Sequence, residues 1–464
     1  HLSPIPMSHI SVTEHIPTQI FNTSEEASVF VANEIASLIR KKQAEGKPCV
    51  LGLATGSTPT RVYAELIKLH KQGLSFKNVI TFNLDEYYPI EPTSLQSYVR
   101  FMKEHLFDSI DIPKANINIP DGTLPKEKVA EFCKQYDAKI DSLGGIDLQI
   151  LGIGRTGHIG FNEPGSSEKS PTRMITLDQV TRIDAASDFF GDENVPRKAI
   201  TMGVGSILKS KRIIMMAWGE GKGPIIQKAV EGPVTDQIPS TFLQNHSNTQ
   251  VILDDAASSK LTRIKTPWLV DSVDWNEKLI QKAVVWLGLT LQKPVLKLTN
   301  HDYMEYGMGD IITEYGSAYQ VNIKIFNALQ HTITGWPGGK PNADDSHRPE
   351  RANPFPKRAI IFSPHPDDDV ISMGGTFIRL VDQGHEVHVA YQTSGNIAVF
   401  DDDAIRFADF VRDFNQSFGL SKADGEKFYE KIVRDIKEKK PGAVDSPEVM
   451  KIKGIIRRGE AKAG

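Results

Sequence analysis

Residues 48–70 have the sequence PCVLGLATGSTPTRVYAELIKLH, in which three kinds of segment follow one another directly. The short apolar run at the start is typical of a buried strand, and a Gly/Ser/Thr turn ends it. After the turn, apolar residues recur at helical spacing, and Pro59 suits the first turn of a helix. The stretch therefore predicts one strand–turn–helix unit of an α/β fold.

The rest of the first 265 residues repeats this alternation. A helix is predicted over residues 24–46, with Thr23 or Ser24 as its cap. Further strands are predicted in NVITFNLDEYY (78–88), IDLQILGIG (146–154), KRIIMMAWGEG (211–221) and TQVILDD (249–255). This pattern predicts a Rossmann-like, open parallel sheet with helices on both faces. The polar loops after the strands are then expected to converge on one crevice.

The composition limits the class of protein. The 464 residues are enough for two or three domains, and 39% are hydrophobic, which is enough for packed cores. A net charge of −4 provides no polycationic surface, so neither nucleic acid nor a membrane is expected as a partner. Two cysteines exclude a disulfide framework and indicate a reducing, cytoplasmic location. No signal peptide or membrane span is predicted.

Three segments are predicted along the chain. Residues 20–265 form the first α/β domain. Residues 266–356 form a helical connector that ends in a linker rich in Pro, Gly and charge. Residues 357–464 restart the strand–loop–helix–strand pattern and continue as charged helices. Because two clear strands are few for a sheet, this second α/β domain is expected to be partial.

The turn ATGSTPT, residues 54–60, is a candidate anion site. Glycine lets the backbone approach a ligand, and the free N–H groups of the following helix favour a phosphate. Thr55, Gly56, Ser57 and Thr58 are therefore candidate phosphate ligands. An ordinary capped strand-to-helix turn would have the same sequence pattern.

Two further loops have acid–base groups. In NLDEYY, Asp85 and Glu86 follow an apolar strand, so either carboxylate could act as a base beside a carbonyl or imine carbon. A solvated pair or a helix cap is the alternative. In GRTGHIGFNEPGSS, His158 and Glu163 lie five residues apart in a glycine-rich loop. Such a pair can open a sugar ring, because one group takes the anomeric hydroxyl proton while the other protonates the ring oxygen.

Residues 20–265 resemble glucosamine-6-phosphate deaminase (isomerase). The resemblance rests on GLATGSTPTRVY, TFNLDEYY, GHIGFNEPGSS, AITMGVGSIL and AVEGPVT, which occur in this order. The related 6-phosphogluconolactonases share the sheet and the phosphate loop. They continue differently after Gly-His, so FNEPG favours the deaminase branch.

The resemblance implies a reaction without a cofactor, in which glucosamine 6-phosphate and water give fructose 6-phosphate and ammonia. Asp85 would move a proton between C2 and C1. His158, assisted by Glu163, would open the ring, and Lys222 in WGEGKG would bind the phosphate with the Gly56–Thr58 turn. A homo-oligomer is also implied, because family members are often oligomeric.

The sequence departs from the family pattern at two positions. Thr156 stands where the family has an acid or an asparagine, and a hydroxyl can orient His158 but cannot stabilise an imidazolium as a carboxylate does. Asp188 stands where the family has a phosphate-binding arginine. Either another cation substitutes, or the substrate differs from the family's. The candidate cations are Arg155, Arg182 and Arg197.

An allosteric site used by some family members is not expected here. That site uses an arginine and a lysine near SSEKSPTRMI. Arg173 matches the arginine, but Ile175 occupies the place of the lysine.

A second candidate site lies in SPHPDDDVISMGGT. A histidine followed by aspartates at a strand end is typical of a metal site, although an acidic surface loop is an equal alternative. The stretch resembles the PIG-L/LmbE-type N-acetylglucosaminyl deacetylases. That resemblance implies zinc ligands at His365 and Asp368, with Asp367 as general base. The family's third histidine ligand is not found, since His385 and His388 lie in the next strand region.

Three functional hypotheses follow. The first is an amino-sugar enzyme that binds a small amino-sugar phosphate, with a deacetylase-like second domain whose product amine the deaminase would consume. The second is a sugar-phosphate-binding regulatory module with weak turnover, or an enzyme for a related amino-sugar phosphate, which Thr156 and Asp188 favour. The third is a phosphogluconolactonase-like hydrolase, which FNEPG disfavours.

Overall fold

The computed structural model of the protein describes residues 13–330, 357–382 and 384–464. The chain divides into two compact units between Asp274 and Trp275. Each unit is described separately below. None of the described helices is both long and apolar enough to cross a bilayer.

The strands are β1 (Thr18–Phe21), β2 (Cys49–Leu53), β3 (Val79–Asn83), β4 (Asp85–Tyr88), β5 (Ile117–Asn118), β6 (Leu148–Leu151), β7 (Arg173–Thr176), β8 (Lys198–Thr201), β9 (Ile213–Ala217), β10 (Thr249–Asp254), β11 (Arg358–Ser363) and β12 (Glu386–Tyr391).

The helices of the first unit are α1 (Ser24–Ala44), α2 (Ser57–Lys71), α3 (Tyr98–His105), α4 (Lys126–Ser142), α5 (Gln179–Ala185), α6 (Val204–Leu208), α7 (Gly223–Glu231) and α8 (Thr262–Lys265). Those of the second unit are α9 (Glu277–Leu291), α10 (Asn300–Glu305), α11 (Gly309–Tyr315), α12 (Ala318–Gln330), α13 (Asp368–Ile371), α14 (Gly374–Asp382), α15 (Asp401–Ser417), α16 (Lys422–Lys437) and α17 (Pro447–Ala463).

A seven-stranded parallel sheet forms the centre of the first unit. Its strand order is β1-β10-β9-β6-β2-β3-β5, and every neighbouring pair is parallel. The predicted α/β fold with a parallel sheet is therefore confirmed. The predicted helix over residues 24–46 is also confirmed, and its cap is Thr23, whose side chain accepts from the Glu26 N–H.

Apolar side chains cover both faces of this sheet, because successive strand residues point to opposite sides. On one face Leu151 and Met215 pack with α4 and α7. On the other, Ile150 and Met216 pack with α1, α2 and α3. Gly52 leaves room for the side chain of Gln149 on the neighbouring strand, since a Cβ atom at residue 52 would lie 1.9 Å from Gln149 Oε1.

The predicted strand in residues 78–88 is two strands in two different sheets. β3 belongs to the parallel sheet, whereas β4 pairs antiparallel with β8 in a three-stranded sheet of order β4-β8-β7. This small sheet was not predicted from the sequence, and neither were the two edge strands of the large sheet, β1 and β5.

The second unit contains the helices α9–α12 and, after residue 356, a two-stranded parallel sheet of β11 and β12. The predicted strand–loop–helix–strand pattern from residue 357 is therefore present. Helices α15–α17 pack together around Ala404, Ala408, Ile432 and Val449.

Candidate functional site

Four neighbouring strands of the parallel sheet lead into the segments that contain the predicted site residues. β2 leads into the turn at Gly56, β3 into Asp85, β6 into the loop of residues 152–167, and β9 into Lys222. These strands are adjacent in the order β9-β6-β2-β3 and parallel, so their carboxyl ends lie at one edge of the sheet.

The predicted phosphate turn has an open backbone at the start of α2. Gly56 has φ of +99°, a region that favours glycine, and no side chain caps the helix. Thr55 and Thr58 are partly buried, whereas Gly56 and Ser57 are exposed. Two hydrogen bonds hold the turn in place. In the first, the Tyr63 hydroxyl donates to the Ala54 carbonyl. Trp218, which follows β9, donates to the Thr58 carbonyl at 3.0 Å.

The two adjacent carboxylates of NLDEYY have different environments. Glu86 is buried and accepts from the N–H groups of Tyr87, Tyr98 and Val99 and from the Ser97 hydroxyl. It therefore caps the start of α3. Asp85 is also buried, but it makes no side-chain hydrogen bond with any residue that the structure describes. Burial, and secondarily the charge of Glu86, raises the pKa of Asp85 to about 8.

The glycine-rich loop after β6 passes close to Asp85. A Cβ atom at Gly160 would lie 3.7 Å from Asp85 Oδ2 and 2.8 Å from Thr201 Oγ1. The Phe161 N–H donates to Thr201 Oγ1 at 3.0 Å, which fixes the loop on β8. Because Thr201 is also the partner of Asp85 in the β4–β8 ladder, the ladder sets the position of the loop beside the carboxyl group.

His158 lies within the same loop and is partly buried. Its Nδ1 is 3.3 Å from the Thr156 hydroxyl, so the residue that replaces the expected acid does contact the ring. Burial, and secondarily the positive charge of Lys222, lowers the pKa of His158 to about 4. The imidazole is therefore neutral at physiological pH. A hydroxyl is a sufficient partner for this neutral ring, although it stabilises an imidazolium less than a carboxylate does.

Glu163, at the other end of the loop, contacts α5. The Thr181 hydroxyl donates to its Oε1, at 2.8 Å, and lies 3.1 Å from its Oε2. Burial raises the pKa of Glu163 to about 6, although the Thr181 hydrogen bond opposes this shift. His158 and Glu163 have separate hydrogen-bond partners among the described residues, Thr156 and Thr181.

Lys222 adds a cation close to this loop. Its ammonium group donates to the Ile153 carbonyl at 2.7 Å. Burial lowers its pKa, and the charge of Asp184 opposes that effect. Asp184, which the sequence analysis missed, also pairs with Arg155 at 2.9 Å. No motif marks Asp184 in the sequence, because its role depends on where α5 places it.

Asp188 is the second departure from the expected sequence pattern. It is exposed and lines a cavity of about 530 Å³ together with Glu91 and Phe190. Of the candidate substitute cations, Arg182 and Arg197 both pair with Asp192, at 3.3 and 3.7 Å.

Arg173, which matches the arginine of the allosteric site, forms hydrogen bonds within the fold. It donates to Asn162 Oδ1 at 2.9 Å and to Ser166 Oγ at 3.3 Å. Ile175 lies two residues further along the same strand, β7, and offers no charge.

The second predicted site lies between β11 and α13. Asp368 Oδ2 accepts from the His365 backbone N–H at 3.0 Å and lies 3.1 Å from His365 Nδ1. The two predicted zinc ligands are therefore in contact. Asp367, the predicted base, forms an ion pair with the buried Arg457 of α17 at 3.0 Å.

The described residues do not complete a zinc site. His385 Nδ1 accepts from the Lys357 N–H, and His388 pairs with Glu386, so neither joins His365. In the described parts of the chain, no three His, Cys, Asp or Glu side chains are grouped to hold a metal ion. Two donors are fewer than the three protein ligands of a catalytic zinc.

Comparison with known proteins identifies the family. Residues 22–252 match the family model for glucosamine-6-phosphate isomerases/6-phosphogluconolactonase. A putative glucosamine-6-phosphate deaminase-like protein of Bacteroides thetaiotaomicron is 55% identical over 452 residues, which are 97% of this chain and 68% of that protein. The chain belongs to the glucosamine-6-phosphate deaminase family. The glucosamine-6-phosphate deaminase of Shewanella woodyi is 48% identical over 245 residues, 52% of this chain and 90% of that one.

A solved structure supports the same assignment for the first unit, which ends at Asp274 and is called the deaminase-like unit below. A monomeric glucosamine-6-phosphate deaminase matches it with a TM-score of 0.50 and 40% identity, over 52% of this chain and 99% of that chain. The resemblance predicted from the sequence motifs is thus confirmed. Residues 360–448 match the family model for GlcNAc-PI de-N-acetylase, which confirms the second predicted resemblance.

Proposed function

We propose that the deaminase-like unit converts glucosamine 6-phosphate and water to fructose 6-phosphate and ammonia. The observation that carries this proposal is the contrast between two adjacent carboxyl groups. Glu86 accepts several hydrogen bonds, whereas the Asp85 side chain accepts none from the residues that the structure describes and lies beside the glycine-rich loop. A buried carboxyl group with a raised pKa and no partner is suited to move a proton.

In this proposal the loop opens the sugar ring. Neutral His158, held by the Thr156 hydroxyl, accepts the proton of the anomeric hydroxyl group. Glu163, whose pKa of about 6 keeps part of it protonated near neutral pH, donates a proton to the ring oxygen. The C1–O bond of the ring then breaks, and the open-chain aldehyde forms.

Asp85 next moves a proton along the open chain. The ionised carboxylate removes the proton from C2 and returns it to C1. The C1 oxygen also gains a proton and the C2 amino group loses one, so the double bond moves from C1–O to C2–N. Water adds to C2 of the resulting imine, and ammonia leaves as the C2 carbonyl forms. Each step is a proton transfer, an addition of water or an elimination, and acid–base groups such as Asp85 and those of the loop catalyse all three.

The phosphate group would bind at the other end of the substrate. The N–H groups at the start of α2, after Thr55, Gly56, Ser57 and Thr58, attract an anion. Lys222 supplies a positive charge, and its hydrogen bond to Ile153 holds it at the carboxyl end of β6. This arrangement would place the sugar between the phosphate turn and Asp85.

The test is an assay of the purified full chain with glucosamine 6-phosphate, with fructose 6-phosphate and ammonia both measured. We expect equal amounts of the two products. Asp85→Asn is expected to reduce kcat at least 1,000-fold, an order of magnitude typical of the loss of an essential base, while substrate still binds. Full activity in that variant would exclude the proposed mechanism.

The second candidate is a regulatory module that binds a sugar phosphate without turnover. The contact between His158 and Thr156 favours it, because a hydroxyl stabilises a charged imidazole poorly. Binding of glucosamine 6-phosphate without either product would support this candidate. Turnover of a related amino-sugar phosphate in its place would identify a different substrate. Release of 6-phosphogluconate from its lactone would indicate the lactonase branch.

For residues 357–464 we propose a relationship to zinc-dependent N-deacetylases of amino sugars. His365 and Asp368 are the proposed ligands, and Asp367 is the proposed base. Their contact with each other and the match to the de-N-acetylase model support this assignment. Metal analysis of the purified chain and of a His365→Ala variant tests it. Equal zinc content in both would contradict the assignment of His365.

A further inference from the structure

Helix α5 holds the glycine-rich loop at two points. Thr181 and Asp184 are three residues apart and therefore lie on one face of the helix. Thr181 donates to Glu163, near the end of the loop, and Asp184 pairs with Arg155, near its start. Asp178 caps the helix by accepting from the Val180 N–H. The helix thus brings a carboxylate next to the segment that contains His158.

The negative charge of Asp184 affects Lys222 and His158 as well as Arg155. It raises the pKa of both groups, against the lowering effect of burial. Lys222 is partly buried, and its described contact is the neutral Ile153 carbonyl. Asp184 is therefore a negative charge among the groups that are proposed to receive a phosphate.

The pair between Arg155 and Asp184 is easily broken. The two side chains are 65% and 48% exposed, and exposed ion pairs contribute little to stability. A phosphate dianion carries more negative charge than a carboxylate, and it binds a guanidinium by paired, charge-assisted hydrogen bonds of the same kind. Phosphate can therefore take Arg155 from Asp184 at small cost.

We propose that Asp184 is a built-in competitor for the substrate's phosphate, and that Arg155 is the specificity-determining cation released to that phosphate. In the free protein Asp184 neutralises Arg155, and on binding the phosphate replaces it. This inference rests on the proposed function, since it assigns the second phosphate cation of that same site. Arg155 would then compensate for Asp188.

The experiment measures the binding of inorganic phosphate to the full chain by calorimetry. Asp184→Asn removes the competing charge, so we expect a Kd about two- to fivefold lower, the range that corresponds to a weak exposed ion pair. Arg155→Gln is expected to raise the Kd by at least about fivefold. Asp192→Asn is the matched control, because Asp192 also pairs with arginines but acts on neither Lys222 nor His158. Its Kd should equal that of the wild type.

The double variant Arg155→Gln/Asp184→Asn distinguishes competition for Arg155 from a general repulsion between Asp184 and the phosphate. If Asp184 competes for Arg155, removing Asp184 should lower the Kd for phosphate only slightly in a protein that already lacks Arg155. An equal gain in both backgrounds, or an unchanged or weaker affinity in Asp184→Asn, would overturn the proposal. Circular dichroism and a thermal melt check that each variant is folded, and Asp184→Ser provides a second variant.

Kinetics with glucosamine 6-phosphate give an independent readout. Asp184→Asn is expected to lower KM, because it removes the competition for the phosphate, whereas an effect through the pKa of His158 would change kcat. A merely structural role would not improve KM. If the wild type proves inactive but phosphate binds more tightly to Asp184→Asn, the proposed reaction is wrong, whereas the proposal that Asp184 competes with phosphate for Arg155 stands.

Discussion

Gly154 lies directly against the imidazole ring of His158. A Cβ atom at residue 154 would be 2.0 Å from ring Cε1 and 2.3 Å from each ring nitrogen. The Gly154 N–H also donates to the His158 carbonyl at 3.0 Å, so the loop folds back on itself at this point. The position of the ring therefore depends on the absence of a side chain at residue 154.

Gly154→Ala is expected to displace the His158 ring and to lower kcat by about 100-fold, the effect typical of an ångström-scale misplacement of a reacting group. Steady-state kinetics with glucosamine 6-phosphate measure it. The matched control is Gly152→Ala in the same loop, where a Cβ atom would meet nothing within 4 Å. Equal losses in the two variants would show that ring position is not the cause.

Asp85→Asn is expected to stabilise the protein while it removes activity. An ionised carboxyl group is unfavourable at this buried position without a hydrogen-bond donor, and an amide avoids that cost. The folded-state pKa of about 8 exceeds the unfolded value of 3.8, so this carboxyl costs stability increasingly as pH rises between those values. The free energy of unfolding at pH 7 should increase by roughly 1–3 kcal/mol.

The adjacent Glu86→Gln should have the opposite effect on stability. Its amide nitrogen would face the N–H donors that the carboxylate now accepts from, at a cost of roughly 1.5–3 kcal/mol. Urea unfolding of both variants at pH 4 and pH 7 measures the two effects. The gain in Asp85→Asn should nearly vanish at pH 4. A gain of the same size at both pH values would indicate that ionisation of Asp85 is not its origin.

The sequence was sufficient to predict the five inner strands of the large sheet, but neither its edge strands β1 and β5 nor the small sheet. β2, β6, β9 and β10 are apolar runs that stand out from their neighbours. β7 and β8, with the sequences RMIT and KAIT, each have only two apolar residues between a charged and a polar one. The apolar strand predicted to end at Asp85 and Glu86 ends instead at Asn83, and Asp85 begins a second strand. The sequence does not mark this break, because Leu84 between the two strands is as apolar as the strand residues.

The candidate site could be predicted only as far as residue types. Its loops follow strands, so their common edge was predictable from the parallel order. The sequence does not show which of Asp85 and Glu86 lacks partners among the described residues. Most donors to Glu86 come from the start of α3, eleven or more residues later. Asp184 was missed for the same reason, since its contact with Arg155 joins residues 29 apart.

The pH dependence of kcat/KM should report the ionisation of Asp85. The proposed base is active when ionised and the proposed acid, Glu163, is active when protonated, so kcat/KM should be bell-shaped, with limbs that break near the two pKa values of about 6 and about 8. The charge of Glu86 contributes to the raised pKa of Asp85. Glu86→Gln should therefore shift the upper limb to lower pH. Comparing the two enzymes with the same substrate cancels the titration of the substrate amine, and an unshifted limb would argue against Asp85 as the group observed.

Lys222→Gln and Asp184→Asn should shift the pKa of His158 in opposite directions. Burial and the charge of Lys222 lower that pKa, whereas Asp184 raises it. Without Lys222 the pKa should therefore rise from about 4 but stay below 6.5, because the ring remains buried. Without Asp184 it should fall further. NMR titration of the His158 ring proton, assigned by its loss in His158→Gln, measures both shifts. Shifts of the same sign would mean that the two charges do not act directly on the ring, and that Lys222 and Asp184 change its burial instead.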